Sequence, residues 1–183
     1  MIQALGNRMR GLGALTKRFI KQPSGATAIE FGLVALPFFF LKMAIIETAF
    51  IFWAGQTLES GVGQAGREIR TGQVQSQGLG EAEFRTLMCV EIGVLFDCDA
   101  RLAIDVQRVA TFDALDLTER PVDGAGNFNG AFGFDPGVGS ETVIVRAYYR
   151  WPVLFNFLGL DAADIGGRQR LLVATTAFRN EPF

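Results

Sequence analysis

The chain has 183 residues, which leaves room for one membrane helix and one modest globular domain but hardly for two independent domains. It contains no histidine and two cysteines, so it lacks the commonest general base and a usual set of zinc ligands. We therefore predict no catalytic residues, no metal site, no cofactor and no nucleic-acid partner. The formal net charge is −2, yet the first 25 residues contain no acid and five basic side chains: Arg8, Arg10, Lys17, Arg18 and Lys21.

The longest apolar stretch follows this basic leader. From Phe31 to Ala54 the only charged side chains are Lys42 and Glu47, which fits the length and polarity of a membrane-spanning helix. Basic residues before such a helix are retained in the cytoplasm, so the rest of the chain is predicted to lie outside. The leader has no apolar segment of the length that a secretory signal needs. Gly72 is predicted to end the helix, whose pattern continues beyond the span as the apolar stripe Leu58, Val62, Ala65 and Ile69.

The remainder of the chain is predicted to form a small α+β head. Residues 73–80 are predicted to be a flexible polar stretch, and residues 81–94 a second helix. Strands are predicted at residues 102–107, 142–151 and 171–178, with an exposed glycine-rich loop over residues 113–140. The apolar region after Trp151 either packs under the sheet, which is the favoured reading, or faces a partner.

The two cysteines, Cys89 and Cys98, both fall in the predicted outer part of the chain. An outer compartment is oxidising, and thiols that are close in sequence tend to pair there. We predict a disulfide between them, with two buried free thiols as the alternative.

Residues 25–31 read Gly-Ala-Thr-Ala-Ile-Glu-Phe, and the apolar run that follows contains Pro37 and Glu47. Further along are the sequence Arg-Thr-Gly-Gln from Arg70, the cysteine pair, and the ending Arg-Asn-Glu-Pro-Phe. This combination resembles the TadE-like minor pilins or pseudopilins of tight-adherence (Flp-type) pili, from about residue 23 to the last residue. Lys42 departs from the pattern, because an apolar residue is expected there.

The resemblance implies a precursor that a prepilin peptidase cuts after Gly25, so that Ala26 becomes the new N-terminus. Glu30 is then the assembly residue that neutralises the terminal amine of a neighbouring subunit. The alternative for Glu30 is a carboxylate that simply reaches the lipid headgroups. Glu47 is predicted as a second assembly residue, bonded to an adjacent subunit or another component. Lys42 either makes such a bond or extends to the membrane interface.

The predicted organisation is a leader over residues 1–25, a transmembrane and extended helix over residues 26–72, and a periplasmic head over residues 73–183. The protein is expected in a bacterial inner membrane, with a cytoplasmic N-terminus and with incorporation into the pilus left open. Its expected partners are the prepilin peptidase, other pilins and pseudopilins, the pilus assembly platform and membrane lipid. The alternative is an uncleaved single-span envelope protein whose periplasmic head binds a partner or ligand.

Overall fold

The computed structural model describes residues 23–93, 96–114, 120–157 and 160–183. The predicted leader therefore lies outside the described residues, except for its last three positions. The chain divides into two compact units, Met1–Ile45 and Ile46–Phe183.

A single long helix, α1 (Pro23–Arg70), confirms the predicted continuous helix and has 48 residues. It continues through Pro37, although proline cannot donate a backbone hydrogen bond. Its part from Thr27 to Arg70 is long and apolar enough, by length and composition, to cross a membrane. Gly72 follows the helix with a φ of 79°, a left-handed conformation that glycine adopts without strain, as the predicted stop requires.

The described part of the second unit also contains short helices and an antiparallel sheet. The helices are α2 (Gln73–Ser76), α3 (Glu81–Ile92), α4 (Cys98–Arg101) and a 3₁₀ turn at Phe112–Ala114. The sheet has the order β1-β2-β5 and consists of β1 (Leu102–Val109), β2 (Thr142–Pro152) and β5 (Gln169–Arg179). A separate two-stranded ladder joins β3 (Asn156–Phe157) to β4 (Leu160–Asp161). The fold is therefore α+β, as predicted.

The core of the second unit lies between α1 and the inner face of the sheet. The predicted stripe on α1 is buried there together with Ala54, and α3 adds Phe84, Met88 and Ile92 to the same cluster. The sheet contributes alternate residues of each strand, because successive side chains of a strand point to opposite faces. Those of β2 are Val143, Val145, Ala147 and Tyr149.

The stretch over residues 73–80 is more ordered than predicted. Residues Gln73–Ser76 form the one-turn helix α2, and Val74 is buried in the core. The side-chain amide of Gln75 donates a hydrogen bond to the carbonyl oxygen of Pro136 at 2.9 Å. The polar composition of the stretch led to the prediction of flexibility. A single buried side chain, Val74, nevertheless packs the turn against the core.

The glycine-rich loop is only partly the exposed loop that was predicted. Phe128 and Phe132 stack with ring centroids 5.6 Å apart, and the Phe132 ring lies 5.5 Å from that of Tyr148 on the outer face of β2. Phe134 forms a parallel bridge with Val106 and packs against Phe84. The aromatic residues of the loop thus cover the outer face and the β1 edge of the sheet, while only Gly124, Gly130 and Gly133 among its glycines are exposed.

Candidate assembly surface on the long helix

The apolar side chains of α1 are exposed over most of the predicted membrane span. Phe31 and Leu33 are each 71% exposed, and the same holds to a lesser degree for Phe38, Leu41, Ile45 and Phe50. An apolar surface of this extent is unfavourable in water and requires lipid or other helices to cover it. The exposed apolar surface therefore suggests anchoring in lipid or association with other helices as the role of this part of α1.

The predicted processing residues and the first of the two predicted assembly residues, Glu30, lie close together near the start of α1. Gly25 is half-buried, Ala26 has helical backbone, and Glu30 follows on the same helix with an exposed side chain. An exposed carboxylate beside an apolar surface is costly to transfer into lipid unless a cation accompanies it. The helix thus presents Glu30 to groups outside the chain.

Lys42 lies one turn after Phe38, and its ammonium group sits 5.3 Å from the centroid of the Phe38 ring. Such a cation–π contact partly offsets the cost of a charge on an apolar helix. The two predicted alternatives for Lys42, a bond to another chain or extension to the interface, both remain predictions.

Glu47 has partners that sequence reasoning missed. Its side chain is 8% exposed, and one carboxylate oxygen accepts a hydrogen bond from the backbone N–H of Leu154 at 2.5 Å. The N–H of Phe155 donates to both oxygens at 3.2 Å. An acid within an apolar run signals that a partner must exist, but the sequence could not show that it lies 107 residues away. The assembly role of Glu47 stays a prediction, and its nearest partners are two amides of its own chain.

Cys89 in α3 and Cys98 at the start of α4 are brought together, with their sulfur atoms 2.13 Å apart and their Cα atoms 6.2 Å apart. Both side chains are partly buried against the core. The pair links helix α3 to helix α4 across the short connection that follows Ile92. Because both cysteines pack against the core, the pair fits a structural role better than that of a reactive thiol pair.

The last residues of the chain pack at the C-terminal end of α1. Asn180 is buried, and its side-chain amide donates hydrogen bonds to the carbonyl oxygens of Pro136 and Val138 at 3.0 and 3.1 Å. The N–H of Glu181 donates to the carbonyl oxygen of Arg70 at 2.9 Å, which satisfies one of the carbonyls left open at the helix end. These contacts explain why a polar ending follows directly on strand β5.

Asp105, Arg146 and Asp123 are charged groups of the head with structural partners. Asp105 and Arg146 form a buried ion pair at 3.5 Å, and the N–H of Gly133 also donates to Asp105 at 3.0 Å. The backbone N–H and side-chain amide of Asn127 hold the pKa of Asp123 below its ordinary value by donating to its carboxylate. Among the described residues, no group of three or more histidine, cysteine, aspartate or glutamate side chains could hold a metal ion.

A long apolar helix, followed in the sequence by a small α+β head, suggests membrane anchoring through the N-terminal helix. Residues 25–67 match the family model described as TadE-like protein, which confirms the resemblance found in the sequence over that segment. The matched segment contains Gly25, Ala26, Glu30 and Glu47. No curated protein and no solved structure matches the chain.

Proposed function

We propose that this chain is a minor pilin or pseudopilin that takes part in the assembly of a tight-adherence type IV pilus. The observation that carries the proposal is the coincidence of the TadE-like match with an exposed apolar helix. TadE-like proteins form a structural family and not an enzymatic one, which agrees with a role in assembly.

A prepilin peptidase would remove residues 1–25 by cutting after Gly25. The mature chain would begin at Ala26, with the helix over residues 26–72 as its anchor and residues 73–183 as the periplasmic head. Excess basic charge before the helix favours a cytoplasmic N-terminus in the inner membrane. Other pilins, pseudopilins and the assembly platform would then contact the exposed apolar face of α1.

The Glu30 carboxylate would pair with the terminal ammonium group of a neighbouring subunit and so fix the axial position of one subunit relative to the next. Cleavage creates an ammonium group at Ala26, and a carboxylate on a neighbouring helix offsets its cost in an apolar environment. The exposed side chain of Glu30 supports this role, because no movement of the fold is needed to reach a second chain.

N-terminal sequencing of the membrane-extracted protein tests the proposal. When the chain is co-expressed with a prepilin peptidase, we expect a mature protein that begins at Ala26. Gly25→Lys places a long charged side chain at the cut and is expected to abolish processing, whereas Gln22→Lys adds the same charge three residues earlier and should leave it intact. A wild-type chain that still begins at Met1 would instead support the uncleaved envelope protein with a binding head.

A further inference from the structure

Exposed apolar side chains occur on both segments that Glu47 joins at the start of the second unit, α1 and the loop after β2. On the helix they are Ile46, Phe50 and Trp53, and on the loop the exposed side chain is Leu154, which is 72% exposed. The rings of Phe50 and Trp53 are adjacent, with centroids 6.2 Å apart. We refer to these four side chains as the Leu154 patch.

The loop itself is unusually apolar for a connection on the surface of a soluble domain. Together with the last residue of β2 and the two residues of β3, it reads Pro-Val-Leu-Phe-Asn-Phe from Pro152 to Phe157 and carries no charged side chain. Val153 is buried and anchors the loop to the head, whereas the next side chain, Leu154, points its apolar surface outward. Loops that remain in water carry polar side chains at such positions, because exposed apolar area costs free energy.

The position of Glu47 in the sequence sets the level of this loop relative to a bilayer. Counted from Phe31, a hydrocarbon core of about 30 Å takes roughly 20 residues of helix and ends near Phe50. Glu47 falls within the last turn of that span, and Trp53 falls where aromatic residues concentrate at the interface. The backbone amides that satisfy the Glu47 carboxylate must lie at the same level.

We propose that the loop over residues 153–155 is seated in the outer interface of the bilayer, with Leu154 in contact with acyl chains. Glu47 is the positioning residue, since its two oxygens hold the loop amides against α1. Lipid is the favoured occupant because the helical residues of the Leu154 patch belong to the same apolar helix that is long and apolar enough, by length and composition, to cross a membrane. The contact of Leu154 with acyl chains would hold the head at the membrane surface. This inference does not depend on whether the chain is a pilin.

Fluorescence quenching of the full chain in vesicles tests this inference. Leu154→Cys is labelled with an environment-sensitive dye, with the native cysteines kept oxidised, in vesicles of phosphatidylethanolamine and phosphatidylglycerol. Val90→Cys and Val138→Cys serve as controls, because these side chains are 77% and 61% exposed in other parts of the head. We expect a blue shift and strong quenching by nitroxides on the upper acyl chain at Leu154, and neither effect at the controls.

Equal quenching at all three positions, or a dye at Leu154 that reports water, would overturn the proposal. A signal at Leu154 that arises only as the protein is concentrated in the vesicles would also overturn it, since that surface would then contact a second copy. Because processing is not involved, failure here would leave the result of N-terminal sequencing unaffected.

Replacement of Glu47 tests its part in holding the loop. Glu47→Leu leaves the amides of Leu154 and Phe155 without their acceptor, so quenching at Leu154 should be lost. Glu59→Leu makes the same change at an exposed acid farther along α1 and should preserve quenching. Retention of full quenching in Glu47→Leu would show that the loop reaches lipid without Glu47 and would overturn the positioning role.

Discussion

Glu30 and Glu47 are two acids of one apolar helix in opposite environments. Glu30 is exposed, whereas Glu47 is 8% exposed and accepts hydrogen bonds from two backbone amides. A charge-assisted bond to a carboxylate contributes roughly 1.5–3 kcal/mol, so Glu47 is not readily released to another chain. Of the two acids, Glu30 is the one whose geometry favours pairing between subunits.

Glu30→Ala should permit membrane insertion but impair pilus assembly, since the apolar span is unchanged while the counter-charge for a terminal ammonium is lost. Glu30→Gln keeps the size of the side chain without its charge and should impair assembly similarly. Membrane fractionation measures insertion, and the yield of sheared pili measures assembly. Glu59→Ala is the matched control on the same helix. Wild-type pilus yield from both Glu30 variants would refute the assembly role.

The sequence distinguishes these acids poorly because it reveals the need for a partner but not its location. Glu30 stands within a local signature, so its proposed role follows from its immediate neighbours. The partner of Glu47 comes from the loop after β2, and only the tertiary fold brings that loop to the helix. Local residue patterns therefore suggest a role for the first acid, which stays a prediction, and did not reveal the partner of the second.

At the level of secondary structure, α1 and the three long strands were predictable because their apolar residues recur with helical or alternating spacing. The second helix was also found, and the structure ends it at Ile92. Residues 73–80 and the glycine-rich loop were less predictable, because each is fixed by isolated apolar residues among polar ones. Val74 and Phe134 are examples, because both pack in or against the core although their neighbours show no helical or alternating pattern of apolar residues.

Packing between α1 and α3 depends on a glycine. A Cβ atom at Gly61 would collide with Cγ2 of Ile92 and contact Met88, whereas one at Gly63 would meet nothing within 4 Å. Gly61→Ala is therefore expected to lower the free energy of unfolding by about 1–3 kcal/mol through overpacking. Gly63→Ala should raise it by up to about 1 kcal/mol, because alanine favours the helix.

Urea unfolding of the two variants in the same detergent, monitored by circular dichroism, measures this difference. Both substitutions add one methyl group to the same turn of the same helix, so the contrast isolates the contact with α3. Equal stability of the two variants would show that α3 moves away from α1 without cost.

At the scale of the whole molecule, the match to the TadE-like family ends at residue 67 and leaves most of the head unmatched. The last residues of the chain nevertheless contact the C-terminal end of α1. The hydrogen bond from the N–H of Glu181 to the carbonyl oxygen of Arg70 joins the last residues of the head to the C-terminal end of α1, where the head begins. Most apolar side chains of the span are exposed, whereas the core of the head uses mainly the later part of α1, so insertion and folding of the head should be largely separable by mutation.

Asn180→Ala tests that separation. It removes two hydrogen bonds from the buried side-chain amide and leaves the carbonyl oxygens of Pro136 and Val138 without those donors. The expected loss is about 1–3 kcal/mol in the free energy of unfolding of the head.

The neighbouring variant Glu181→Ala supplies the matched control, because its ion pair with Arg70 is exposed and long, at 3.6 Å, and should contribute less than about 1 kcal/mol. Both proteins should reach the membrane fraction in wild-type amounts, since the apolar span is untouched. Limited proteolysis of vesicles with the head outside should then cut Asn180→Ala faster than Glu181→Ala. Equal cleavage rates would mean that Asn180 does not secure the head, whereas loss of Asn180→Ala from the membrane would mean that insertion and head folding are coupled.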